Sequence, residues 1–565
     1  MLLARPTFPQ STRLRGRDLL ADPCLNKGTA FSRQERQTFG LDGLLPHAVE
    51  SLDTQVERHW QAFLTLGSDL EKFRFAVALR QANLTLFHRF LADHIEAVMP
   101  IVYTPTVGAA IQRFSLDYRT PSGGVFLAAP DLERIDSVLS QAAPGPVDLI
   151  LITDSQGILG IGDQGIGGIE ICLGKLAVYT LCAGLDPSRV LPLVLDVGTD
   201  RPQLLDDPLY PGWRHPRLDG PDYDRFLART VEALQRQFPG ALLHWEDFGT
   251  GHAHQLLAEY RERVPSFNDD IQGTRGVACA VVQAASHGAG LPLEDHRIVV
   301  FGAGTAGCGI AEGLVRLLTR AGLSEPEARR RIWAIDREGL VLADQPDLSP
   351  MARALARDPS ERSAFEHDVQ GRIGLLEVVR TVRPTVLIGT STVAGAFSRE
   401  VVETMAAAVE RPIILPLSNP TSLAEATPAD LYAWTGGKAL VASGSPFEPV
   451  SWQGSLRRIG QCNNCFLFPG LGFASVAVGA IQVSEGMIDA GLDALADRIP
   501  AYRDSDAPLM PELTQVQSVS RAVAEAVALA AVHEGLASRA ASAEEAIERL
   551  DQATWTAVYK ELEAI

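Results

Sequence analysis

Residues Arg297–Glu312 read RIVVFGAGTAGCGIAE. A short apolar run ends at Gly302, and Gly304 and Gly307 follow at the spacing G-x-G-x-x-G, so the stretch predicts a strand, a tight turn and the opening of a helix. Glycines lack a Cβ and let the backbone approach a pyrophosphate held at the helix N-terminus. A purely structural tight turn gives the same spacing and stands as the alternative. The next apolar run, RIWAID, ends in Asp336, where a carboxylate would meet the adenosine ribose hydroxyls of NAD. Its separation from the glycines exceeds the usual ~20 residues, and the insert LSEPEARR at Leu323–Arg330 accounts for the excess. Arg337 beside it keeps NADP as second choice.

The same cadence continues outward from this stretch. PTVLIGTS, RPIILPLSNP and KALVASGSP follow, separated by segments long enough for crossover helices, which is the pattern of a doubly wound dinucleotide fold. Upstream, VDLILITDSQG from Val147, VLPLVLDVGT and ALLHWEDFGTG read as buried parallel strands with helices between them. The first stretch, to about Ala110, repeats apolar residues at helical spacing, for example over Glu71 to Ile95. The expected fold class is α/β, with a helical N-terminal region (1–120), a split α/β catalytic domain (121–270 plus 460–535), a doubly wound (Rossmann-type) NAD-binding domain (271–459) and a charged helical tail (536–565). After Gln461 the chain is expected to return to the catalytic domain, because Asn463 and Asn464 are polar residues in an apolar segment.

Three acids form a second constellation: Glu246 and Asp247 at the end of ALLHWEDF, and Asp270 in SFNDDIQGT. Strand ends are where α/β proteins gather functional groups, and three carboxylates are the hard oxygen ligands that Mg2+ or Mn2+ prefers. Adjacent acids are more often solvated surface, but the apolar flanks LLHW and SFN argue against simple exposure. Asp269 is read as a supporting group, or as the ligand itself if the register is off by one. Lys175 lies in GIEICLGKLAVYT, an apolar helical stretch that would desolvate its amine and lower its pKa towards a useful base; a snorkelling surface lysine is the plainer reading. Tyr103, before a proline turn in IVYTPTVG, is either a hydrogen-bonded core residue or a proton donor. The lone pair Cys462 and Cys465 has no second pair and is read as structural.

The whole chain narrows the class further. At 565 residues it exceeds one hydrophobic core, and 46% hydrophobic with 21% charged residues is ordinary globular composition. A net charge of −19 with no basic stripe argues against nucleic acid and anionic lipid, so small molecules and further copies of the chain are the expected partners. Seven scattered cysteines make no disulfide framework, and MLLARPTFPQ lacks the apolar core of a secretory signal, so a cytoplasmic location is expected. The uncharged run Gln461–Ser484 is long enough to span a membrane, but its asparagines, Pro469 and glycines favour a buried loop and helix.

Taken together, NKGTAFSRQER, GLLP, IVYTPTVG, ILGIGDQGIGG, GKLAVYT, DVGT, the WEDF acids, FNDDIQGT, GAGTAGCGIAE, LSNPT, ASGSPF and CNNCFLFPGLG closely resemble the malic enzyme family, from about Asn26 to Gly472. The resemblance implies L-malate as substrate, NAD and Mn2+ or Mg2+ as cofactors, and a homodimer or homotetramer. It implies Tyr103 as general acid, Lys175 as general base, and Glu246, Asp247 and Asp270 as metal ligands. Gly302, Gly304, Gly307 and Asp336 would bind cofactor, Asn419 cofactor or substrate, and Asn463 substrate. Three positions depart from the usual pattern: Gly157 stands for an arginine before ILG, and Glu170 and Cys172 replace a glycine and a proline before GK. With HWEDFG, IGTSTVAGAFSRE and IGQCNN they resemble the malolactic branch, so the preferred expectation is conversion of malate to lactate and CO2. Oxidative decarboxylation to pyruvate with release of NADH is the alternative. A catalytically dead dinucleotide-binding sensor is a remote third reading, argued against by the presence of the acids, Lys175 and Tyr103.

Overall fold

The computed structural model describes residues 10–119, 123–143, 145–158 and 160–565. Residues 1–9, on which the expectation about a secretory signal rests, lie outside them. The chain divides into two compact units, residues 1–241 with 551–565 and residues 242–550. The boundary at 241 falls inside the catalytic segment 121–270 read from the sequence, and 242–270 and 460–535 lie in the same unit as 271–459.

The first unit begins with a helical layer. The helices Leu52–Leu64, Asp69–Ala82 and Leu84–Asp93 start at Ser51, Ser68 and Asn83, whose side chains accept backbone N–H groups of the first turn. Their buried faces meet in an aromatic cluster of Trp60, Phe63, Phe75 and Phe90. The helix Ile95–Val102 then delivers Tyr103 at its C-terminus. Behind this layer stand β2 (Val125–Ala128), β3 (Leu149–Thr153) and β4 (Val190–Asp196), parallel and in the order β2-β4-β3. The crossover from β3 to β4 contains the helix Ile169–Ala183. It is long and apolar enough to cross a membrane by length and composition, yet the 165–183 segment is 89% buried within the protein. It ends at Gly184, whose φ of +74° continues no helix. The helix Ala543–Ala553 matches the helical expectation for the tail, but the last residues are extended: β16 (Leu562–Ala564) pairs in parallel with β1 (Gln10–Thr12). That pairing joins the two ends of the chain, so no local pattern encodes it.

The second unit holds β5 (Leu242–Trp245) and β6 (Ser266–Asn268), a parallel pair. It also holds β7 (Ile298–Phe301), β8 (Ile332–Asp336), β9 (Gly339–Leu340), β10 (Val386–Gly389), β11 (Ile413–Pro416) and β12 (Leu440–Ser443). The hairpin β13 (Val450–Trp452) and β14 (Ser455–Arg457) precedes the last sheet strand, β15 (Gly460–Gln461). The sheet order is β15-β12-β11-β10-β7-β8-β9, parallel except for β9. The chain winds outward from β7 through β8, then from β10 through β11 and β12, so the order reverses between β7 and β10. Ligands of open α/β sheets bind at such a switch point. All five long strand expectations of this sheet are realised; the short β9 and β15 carry too few residues to leave a pattern. The apolar run after Gln461 becomes the fully buried helix Phe468–Ala477. Phe468 stands edge-on to His244 of β5, which brings this helix against the β5–β6 pair.

Candidate active site

The acids of the second unit are arranged by strand register. His244 pairs with Phe267 and Trp245 with Asn268; the ladder ends there, so Glu246 and Asp247 follow directly on β5, and Asp269 and Asp270 directly on β6. Alternation places His244 and Glu246 on one face of β5 while Trp245 points to the other. Asp247 then turns the chain with a φ of +53°, and its N–H donates to Asp270 Oδ2 at 2.7 Å. Glu246, Asp247 and Asp270 thus offer carboxylate oxygens within 4.8 Å of one another, the first two 3% exposed. Asp269 does not join that group; it forms a second one with His244 and Glu246.

After β6 the chain makes a π-helical turn, Asp269–Gly273, closed by Asn268 Oδ1 accepting from Ile271 N–H and Gln272 Oε1 accepting from Asn268 N–H, both at 2.9 Å. A Cβ at Gly273 would fall 1.7 Å from Asp269 Oδ1, so only glycine fits there. Asn464 Nδ2 donates to Asp269 Oδ2 at 3.1 Å. Its neighbour Asn463, the residue named from sequence, accepts from Cys465 N–H at 3.0 Å and caps the next turn. Cys462 and Cys465 are free thiols, and burial pushes Cys462 up to about 12. Two buried carboxylates and a half-buried third on a backbone held this firmly fit a Mg2+ or Mn2+ ion.

The first unit carries Tyr103 and Lys175. Lys175 is 1% exposed in a helix buried on nearly every face, so the snorkelling alternative does not hold. Tyr103 is 9% exposed. The helix that carries Lys175 approaches Tyr103 through a missing side chain: a Cβ at Gly174 would lie 2.8 Å from Val102 O and 3.3 Å from Tyr103 Cδ2. Glu170 sits one turn earlier on the same face of the helix, 4.0 Å from Arg80. Burial pushes the Glu170 carboxyl up, against the pull of Arg80. Gly157 is half-buried in the loop between Asp154 and Asp163. Arg217, its side chain 2% exposed, pins both ends of that loop by donating to Asp154 O at 3.0 Å and to Asp163 Oδ1 at 2.8 Å. Burial opposes ionisation of Asp163, but the Arg217 hydrogen bonds hold its carboxyl below the usual range. Sequence reading missed Arg217, since a lone arginine in a loop carries no signal of its partners.

The glycine turn divides its labour. Gly302 has a φ of +109°, and a Cβ there would strike Thr390 C at 2.6 Å. A Cβ at Gly307 would fall 1.8 Å from Gly302 O, so that glycine lets helix Thr305–Arg320 close on β7. Around Gly304, the helix N-cap, no atom lies within 4 Å of the position a Cβ would take. The open glycine is the one a pyrophosphate would approach, and the switch point between β7 and β10 lies beside it. Asp336 ends β8 exposed to solvent. Asn419 lies half-buried after β11 and accepts from Ser445 Oγ at 2.5 Å. Glu425, fully buried, accepts from Ser391 N–H and Oγ at 2.8 Å and from Ser418 Oγ, tying the loops after β10 and β11 together. Nothing in the sequence around Glu425 marks it.

Two family descriptions match the chain: malic enzyme, N-terminal domain, over residues 80–261, and malic enzyme, NAD binding domain, over residues 271–532. NAD-dependent malic enzyme 3 of Bacillus subtilis is 47% identical over 98% of each chain. The NAD-dependent malic enzyme of Edwardsiella ictaluri is 47% identical over 96% of this chain and 95% of its own. Among solved structures, the malic enzyme from Pyrococcus horikoshii shares the fold with a TM-score of 0.53 at 21% identity, covering 81% of this chain and 89% of that one. That of Entamoeba histolytica does so with a TM-score of 0.56 at 19% identity, covering 91% of both.

Proposed function

Since the chain belongs to the malic enzyme family, we propose that it oxidises and decarboxylates L-malate with NAD+ and a divalent cation, releasing pyruvate, CO2 and NADH. The observation that carries this reading is the convergence of Glu246, Asp247 and Asp270, because decarboxylation of malate needs an electrophile at the C2 oxygen. Malate cannot lose its distal carboxylate directly, since a carbanion at C3 would have no electron sink. Oxidation at C2 creates one.

Lys175 Nζ would take the C2 hydroxyl proton as C2 is oxidised to the ketone. The C3–C4 bond then breaks, CO2 departs, and Tyr103 Oη protonates C3 of the enolate to give pyruvate. NAD supplies the hydride acceptor, and a Mg2+ or Mn2+ ion held by the three carboxylates supplies a Lewis acid for the C2 oxygen. Gly304 leaves room for the pyrophosphate, and the Asp336 carboxylate favours NAD over NADP because it repels a 2′-phosphate. The resemblance further supports a homodimer or homotetramer, which sedimentation would test.

The malolactic expectation, drawn from Gly157, Glu170 and Cys172, gives way to its alternative, because the near-full-length relatives are named NAD-dependent malic enzymes. Product analysis with malate, NAD+ and Mn2+ decides between them. Pyruvate and NADH in equal amounts are expected. Lactate formed with little free NADH would overturn the reading and restore the malolactic one.

A further inference from the structure

His244 opens the HWEDFG stretch, but the proposed mechanism gives it no role. It is fully buried in β5, two residues before Glu246 and on the same face of the strand. Its Nε2 lies 3.1 Å from Glu246 Oε2, and the same imidazole belongs to the buried group that includes Asp269. The ring plane is fixed from two sides: Phe267, its partner in the β5–β6 ladder, stands 4.5 Å away at 56°, and Phe468 stands 5.7 Å away at 85°. A buried glutamate reached by such a donor keeps one carboxylate oxygen engaged, which orients the other.

We infer that His244 is a positioning residue for the divalent cation: its Nε2–H holds Glu246 in the rotamer that completes the ligand set with Asp247 and Asp270, and thereby favours a small ion of strict geometry. The inference rests on the reading of those three acids as the metal site. Hydrogen-bond partners behind metal ligands orient them and raise affinity about 10- to 100-fold. Mg2+ demands near-ideal octahedral geometry, whereas Ca2+ accepts flexible coordination. Loosening Glu246 therefore costs Mg2+ more than Ca2+.

The test compares His244→Gln with His244→Asn. Both keep an amide in place of the ring, but only the glutamine amide reaches the position of Nε2. Binding of Mn2+ to the chelator-treated full-length enzyme is followed by the EPR signal of free Mn2+, with Mg2+ and Ca2+ as competitors, beside thermal midpoints and an Asp270→Asn control. His244→Gln is expected near wild type, and His244→Asn weaker for Mn2+ by about 10-fold or more, with a larger loss for Mg2+ than for Ca2+ and equal midpoints for the two variants. Equal Mn2+ affinity in both variants, or equal losses for Mg2+ and Ca2+, overturns the inference while a weakened Asp270→Asn leaves the metal site standing. Wild-type affinity in Asp270→Asn overturns the metal reading and the inference with it.

Discussion

The acidic corner of the second unit and the approach of the Lys175 helix to Tyr103 in the first are built on opposite principles. At the corner the backbone does the placing: a strand register, a left-handed residue at Asp247 and hydrogen bonds from Asp247 N–H and Asn464 converge the carboxylates. In the first unit close packing does it: the Lys175 helix approaches Tyr103 because Gly174 carries no Cβ. Both regions carry buried polar atoms without a hydrogen-bond partner among the described residues, Asn268 Nδ2 and Gln272 Nε2 beside the corner and Arg80 Nη2 and His88 Nδ1 in the helical layer. A site held by backbone bonds tolerates side-chain change, and one held by close packing does not.

Replacing Lys175 with alanine tests the first unit most severely. Malate turnover is expected to fall by about 10²- to 10⁴-fold, the usual worth of a positioned proton acceptor, with Mn2+ binding at the corner unchanged. Turnover within about tenfold of wild type would show that Lys175 is not the base.

Acid should weaken the first unit through His88. Burial, assisted by the Arg80 charge, pushes this imidazole down from 6.5 to about 3. The folded chain keeps it neutral while the unfolded chain protonates it below about 6.5, so its contribution is full above that pH and is lost as pH falls towards about 3. At about 1.4 kcal/mol per unit the effect reaches a few kcal/mol. His88→Leu is expected to flatten the fall of the unfolding midpoint between about pH 7 and pH 4. An unchanged slope would mean that another group carries the acid sensitivity.

Gly174→Ala places a methyl against the Val102 carbonyl and is expected to cost about 1–3 kcal/mol of stability together with much of the malate turnover. Gly108→Ala, in a neighbouring helix with nothing within 4 Å of the added atom, serves as the control and should cost nothing. If both variants melt alike, the packing account of the approach is wrong.

The smallest effect sharpens the backbone side of the comparison. Asp247→Gly and Asp247→Ala both remove a carboxylate, but only glycine adopts a φ of +53° freely, so the alanine variant should be less stable by about 1 kcal/mol. Equal stability would show that the left-handed turn relaxes without cost.

What the sequence determined by itself is what short-range physics encodes. Glycine spacing at 302, 304 and 307, apolar runs ending in turn residues, and the acids at the ends of two such runs were legible because each depends on residues a few positions apart. Tertiary structure decided the rest. Which of Asp269 and Asp270 joins the three-acid group depends on the register between β5 and β6, set by two segments 21 residues apart. The closeness of Tyr103 to the Lys175 helix depends on a glycine some 70 positions away, and the roles of Arg217, Glu425 and His244 exist only through partners that other elements or the strand geometry bring to them. Local patterns specify which element forms, whereas a contact between distant segments is chosen by how whole elements pack, and that choice leaves no periodic trace in the chain.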